Sequence, residues 1–135
     1  EPKKRMLSSM TPTIVENLNG ELYLVLGSPG GSTIITTVAQ LILNVIDKKM
    51  NIKDAVESSR FHHQWLPDLI FLEPFSFQRE TITDLENRGH IIQFRDYIGE
   101  ANCIKIDYID NENSGNKVIY SGAADSRRGA SAVGY

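Results

Sequence analysis

Cysteine is almost missing from these 135 residues: Cys103 is the only one. A single thiol forms no intrachain disulfide, and no CxxC pair marks a metal knuckle. Cys103 lies in Asn102-Cys103-Ile104-Lys105-Ile106, an alternating strand-like run where a buried structural thiol is expected rather than a nucleophile. An excess of positive charge is missing too. Lys and Arg number 14 against 17 Asp and Glu, for a formal charge of -3, so the chain lacks the basic footprint of a nucleic-acid binder. Its one basic run, Lys3-Lys4-Arg5, reads as a solvated terminus. No apolar run approaches the length of a membrane span, and no secretory leader pattern is visible. The chain starts at Glu1 rather than Met and therefore reads as a processed product or a fragment.

What is present suits a packed core. Apolar residues make up 41% and charged residues 23%, and the length fits one domain or a large piece of one. Residues 11–16 and 21–26 are apolar strand patterns joined by the turn Asn17-Leu18-Asn19-Gly20, which predicts a β-hairpin. Ile34, Val38, Leu41, Ile42 and Val45 recur at helical spacing, with Ile35, Ala39 and Ile46 widening the stripe. Ser32 or Thr33 is placed to cap that helix, which should end near Lys48-Lys49. A short helix with Asn51 as cap, a strand over 69–73 and a helix from Gln78 to Arg88 closed by Gly89 follow. Three more strands are expected, at 90–94, 103–109 and 117–120. This order predicts an α+β fold, mostly antiparallel, with helices packed on the sheet.

Four stretches carry residue types that do chemistry. Gly27-Ser28-Pro29-Gly30-Gly31-Ser32 sits between a strand and a helix. Successive N–H groups there, unobstructed by side chains, can point at a negative oxygen, and the helix N-terminus adds partial positive charge. The guest is a phosphate or the oxyanion of a tetrahedral intermediate; alternatively the loop is only a tight turn. No lysine follows Gly31, which disfavours a nucleoside triphosphate. Leu7-Ser8-Ser9-Met10 offers two hydroxyls for a carboxylate, or a local serine turn. In Arg60-Phe61-His62-His63-Gln64-Trp65-Leu66-Pro67-Asp68 the two histidines point opposite ways if extended, and no third metal ligand is spaced to join them. A packed turn with Trp65 in the core is expected. Asp125-Ser126-Arg127-Arg128 suggests a structural ion pair.

Taken in order, LSSMTPTIV, GSPGGSTIITT, AVESSRFHHQWLPD, a late DSR and a terminal GY resemble the C-terminal part of the γ-glutamyltranspeptidase (glutathione hydrolase) family, from Leu7 to Tyr135. The resemblance implies that residues 1–135 are one piece of the small catalytic subunit of an N-terminal nucleophile hydrolase, whose fold is a four-layer αββα sandwich. It implies a self-cleaving precursor and a freed threonine that attacks the γ-glutamyl amide, activated by its own α-amine. The γ-glutamyl ester then passes to water or to an amino acid or peptide. Gly30 and Gly31 match the oxyanion-hole glycines, and Ser8 and Ser9 match the pair that binds the α-carboxylate. No cofactor and no metal is implied. The implied partners are the large subunit, the N-terminal part of the small subunit and a γ-glutamyl substrate such as glutathione; the implied location is periplasmic or extracellular.

Departures from the family pattern limit that reading. The family's nucleophile lies several tens of residues upstream of the Ser-Ser-Met motif, and Thr11 and Thr13 are not N-terminal, so this chain is expected to be inactive alone. Ser59 and Ser126 stand where relatives commonly have proline before the arginine. Three alternatives stay open: a catalytically inactive remnant or binding module, a relative acting on poly-γ-glutamate or a cephalosporin side chain, and a phosphate-binding domain.

Overall fold

The computed structural model describes residues 2–4, 11–109 and 117–134. Strands β1 (Thr13–Glu16) and β2 (Leu22–Gly27) form the predicted hairpin, with Thr13 opposite Leu26 and Val15 opposite Leu24. Asn17 builds the turn: its side-chain carbonyl accepts the N–H groups of Asn19 and Glu21, and Gly20 supplies a φ of 78°. Helix α1 (Thr33–Ile46) and helix α2 (Ile52–Glu57) follow. Asn51 caps α2 as expected, its side chain accepting the Asp54 N–H at 2.9 Å. Neither Ser32 nor Thr33 caps α1. Ser32 makes no side-chain cap bond, and the Thr33 hydroxyl instead donates to the Gly30 carbonyl at 3.0 Å.

Strands β3 (Phe61–His62) and β4 (Ile70–Leu72), helix α3 (Arg79–Asn87) and strand β5 (Ile92–Phe94) form a second unit. β4 is central; it pairs antiparallel with β3 and parallel with β5, α3 serving as the crossover. Gly89, at φ 92°, follows the end of α3 as the sequence suggests. The last strands, β6 (Asn102–Ile109) and β7 (Lys117–Ala124), join the hairpin in an antiparallel sheet of order β1-β2-β6-β7. β7 thus runs four residues past the expected Tyr120 and ends at a 3-10 turn over Ser126–Arg128.

The core lies between one face of this sheet and helices α1 and α2. Leu24, Leu26, Cys103 and Ala123 meet Ile34, Val38, Leu41, Val45, Ile52, Ala55 and Val56. Fully burying each large aliphatic side chain contributes roughly 1.5–3 kcal/mol, which outweighs the modest helix propensity of the β-branched residues in α1. The predicted stripe is therefore largely buried, with Ile42 and Ile46 half-buried, whereas Ile35 and Ala39 of the predicted widening are exposed. Ile35 is 72% exposed and Leu43 51%, so α1 carries a second apolar stripe that none of the described residues covers. Among the described residues, no helix is long and apolar enough to cross a membrane.

Candidate functional site

The glycine loop leaves β2 at Gly27 and enters α1 at Thr33. Gly30 has φ 144° and Gly31 φ 60°, conformations that side-chain-bearing residues rarely hold. The Gly30 carbonyl accepts the Thr33 N–H at 3.2 Å, and the Gly31 carbonyl accepts the Ile34 N–H at 3.3 Å. The N–H groups of Gly30 and Gly31 donate to no acceptor among the described residues. Two free donors thus sit side by side at the start of a fourteen-residue helix, an arrangement that can hold an anionic oxygen. A Cβ at Gly30 would collide with the Thr33 hydroxyl, whereas one at Gly31 would meet nothing within 4 Å. Ser8 and Ser9 lie outside the described residues.

The loop is linked through residues 98–101 to a network of four charged side chains, of which Arg60, Glu73 and Asp125 are buried and Arg127 is half-buried. Arg60, 2% exposed, donates to the Asp125 carboxylate at 2.6 Å, to the Ile98 carbonyl at 2.9 Å and to the Val56 carbonyl at 2.6 Å. Arg127 donates to both Glu73 oxygens, at 2.6 and 2.8 Å, and to Asp125 at 3.1 Å. It also satisfies the carbonyls of Val56 and Ser58 at the end of α2. The remaining carboxylate lone pairs accept backbone N–H groups: Glu73 takes those of Arg60 and Ile98, Asp125 those of Ala101 and Arg127. Two cations face two anions with every member bonded, the condition under which charge survives burial. Burial pushes the Asp125 carboxyl up, but the Ala101 N–H, the Arg60 guanidinium and the Arg127 N–H together hold it below its ordinary value. Despite its own burial, Arg127 is held more firmly protonated than usual by Glu73 and Asp125.

The histidine stretch is not the packed turn expected, because positions 63–68 are all exposed. Trp65 is 76% exposed, and the inward positions belong to Arg60 and His62. Gln64 donates its amide to the Leu66 carbonyl, so its oxygen faces His62 Nε2 at 2.9 Å and that nitrogen carries a proton. His62 Nδ1 lies 2.8 Å from the Thr36 hydroxyl of α1. His63 turns outward to Asp68 at 3.1 Å. Among the described residues, no group of three metal-ligating side chains converges. Cys103 is buried, and desolvation pushes its thiol up to about 11, in keeping with an inert structural residue.

Sequence reasoning singled out Gly30, Gly31 and the Arg127 region, but missed Glu73. Glu73 precedes Pro74 at a strand end and looks like an ordinary surface carboxylate. Its one sequence signal is its place at the end of an apolar run.

The γ-glutamyltranspeptidase family profile matches residues 1–135. The glutathione hydrolase proenzyme of Escherichia coli K12 is 46% identical over 105 residues, covering 78% of this chain and 18% of that protein. The glutathione hydrolase proenzyme of Pseudomonas sp. strain A14 is 39% identical over 141 residues, covering 99% of this chain and 24% of its own length. The chain therefore spans about a fifth of the curated relatives it matches. The crystal structure of the Helicobacter pylori γ-glutamyltranspeptidase T380A mutant superposes with a TM-score of 0.84 at 44% identity, over 95% of this chain and 66% of that one. With a profile match along its entire length and α+β architecture shared with solved γ-glutamyltranspeptidases, this chain belongs to the γ-glutamyltranspeptidase family.

Proposed function

We propose that these residues form the oxyanion-stabilising part of a γ-glutamyl transferase and hydrolase. The observation that carries the reading is the pair of left-handed glycines at the start of α1, whose N–H groups have no acceptor among the described residues. In this reading a threonine from outside the 135 residues attacks the γ-amide carbonyl. Its hydroxyl proton passes to its own α-amine, and negative charge develops on the carbonyl oxygen between Gly30 N–H and Gly31 N–H. Two fixed donors stabilise that charge more than they stabilise the neutral amide, so the barrier falls. The C–N bond then breaks, the leaving amine takes the proton, and a γ-glutamyl ester remains for water or an amino acid to cleave. Ser8 and Ser9 hold the α-carboxylate.

The partners in this reading are the rest of a processed precursor, comprising a large subunit and the other part of the small one. A γ-glutamyl peptide such as glutathione is the substrate, met in the periplasm or outside the cell. The names of the relatives as glutathione hydrolase proenzymes support this. The decisive variant is Gly30→Ala in the complete protein. The added Cβ collides with Thr33 and turns the Gly30 N–H away. Turnover of a γ-glutamyl anilide should fall by on the order of 10²–10³, the effect of losing one oxyanion donor, with KM nearly unchanged. An unaltered kcat overturns the assignment. The isolated 135-residue chain should show no turnover on the same substrate.

A further inference from the structure

A pair of adjacent glycines at positive φ does not fix its own direction, because glycine has many conformations of similar energy. Something outside the pair must hold the two N–H groups. Each peptide unit is planar and trans, so its C=O and N–H point opposite ways. Pinning the carbonyl of one residue therefore aims the N–H of the next. The Gly30 carbonyl, which aims the Gly31 N–H, is held twice, by the N–H and the hydroxyl of Thr33. The Pro29 carbonyl, which aims the Gly30 N–H, accepts the Ser28 hydroxyl at 2.7 Å.

Ser28 is itself anchored. It is 6% exposed, and its Oγ accepts the Glu100 N–H at 2.9 Å, a link across 72 residues of sequence. Next to Glu100, Gly99 has φ 72° and brings bare backbone against the loop and α1. A Cβ there would lie 2.5 Å from the Thr37 hydroxyl oxygen and 2.8 Å from Ser28 Oγ. On its far side, the 98–101 segment is tied to the charge network. Glu73 accepts the Ile98 N–H, Arg60 donates to the Ile98 carbonyl, and Asp125 accepts the Ala101 N–H.

We propose that Ser28 is a positioning residue that sets the Pro29–Gly30 peptide plane, and that Gly99 is the close-packed backbone that seats it. Together they transmit the rigidity of the buried charge network to the Gly30 donor. The proposal rests on the reading of Gly30 and Gly31 as oxyanion donors. It separates ground state from transition state: a loosened peptide plane leaves the binding of γ-glutamyl groups intact and weakens only the hold on a tetrahedral anion.

The test uses the complete processed protein, with turnover normalised to active sites titrated by a covalent γ-glutamyl label. Three quantities are compared: kcat and KM for a γ-glutamyl anilide, and the affinity for a boronic-acid analogue of glutamate that becomes a tetrahedral anion on the nucleophile. Ser28→Ala should lower kcat by about tenfold or more, within the range that small misplacement of a catalytic group produces. KM should stay put, and boronate affinity should fall in step with kcat. Gly99→Ala should give the same pattern. If Gly99→Ala fails to process, Ser28→Ala, which only removes an oxygen, decides alone. Unchanged kcat and boronate affinity in Ser28→Ala, or a KM that rises in proportion to the loss, overturns the proposal. Gly30→Ala in the same assay separates the two layers. If it loses boronate affinity while Ser28→Ala does not, the donor reading stands and the positioning role falls. If Gly30→Ala keeps full boronate affinity, the donor reading fails and the positioning role with it.

Discussion

Arg60 has a five-donor cation with almost no contact with solvent, yet each bond it makes ends on a carbonyl or a carboxylate. Removing it strands Asp125 in the interior with one counter-charge fewer, and breaking a buried pair in this way costs about 3–5 kcal/mol. Arg60→Ala in the complete protein should therefore lower the denaturant midpoint sharply, and a midpoint within error of the parent would contradict the account. Asp125 gives the network a pH dependence whose sign follows from its lowered carboxyl. The folded state binds the proton less readily than the unfolded chain, so its contribution is fully present above the ordinary value of 3.8 and is lost as pH falls through the lower folded value. Asp125→Asn should flatten the acid limb of the stability curve while lowering stability at neutral pH, as unfolding followed across pH would read. Cys103 makes a simpler case. With its thiol pushed up to about 11 and only 4% of the residue exposed, alkylation by iodoacetamide near pH 8 should be negligible until denaturant is added.

Among the elements, α2 offers the cleanest test of local chemistry. It is six residues long, too short to persist by propensity, and it is fixed by a cap at one end and guanidinium groups at the other. Asn51→Ala should destabilise the protein by about 1 kcal/mol, measurable by thermal melting. How much of the molecule could be read beforehand also divides by element. The hairpin, α1, α2 and α3 were legible because turn chemistry, caps and helical spacing act within a few residues. β3 was not, since two residues carry no period. The parallel pairing of β4 with β5 was likewise hidden, because a crossover is decided by packing rather than by either strand alone. Gly30 and Gly31 stood out because glycine pairs mark unusual backbone. Ser28 and Gly99 did not, since their meaning lies in a contact between segments 72 residues apart. Arg60 was ambiguous for the same reason: an arginine is normally at the surface, and its carboxylate partner is 65 positions away.

At the scale of the whole chain, apolar surface is left bare on both sides. Ile35 and Leu43 line the outer side of α1, while Ile14, Ile104, Val118 and Tyr120 are exposed on the sheet. A cavity of about 550 Å³ opens between the sheet, Pro12, Pro29 and the tail residues Ser131, Ala132 and Val133. Patches of this kind belong against other protein. The chain made alone should bind a hydrophobic dye and self-associate, and a monodisperse, dye-silent monomer would count against the reading of these faces as contacts within a larger protein. The charge network also has a consequence in time. Asp125 lies 65 positions after Arg60 and Arg127 lies 54 after Glu73, so the arginine and glutamate they neutralise emerge from the ribosome first. Until they arrive, Arg60 and Glu73 cannot be buried at tolerable cost, and the segment that steadies Gly30 has nothing to lean on. The support behind Gly30 is thus completed only once residues 125–127 have been made, rather than when the glycine loop itself is translated, so a nascent chain cannot acquire this geometry early.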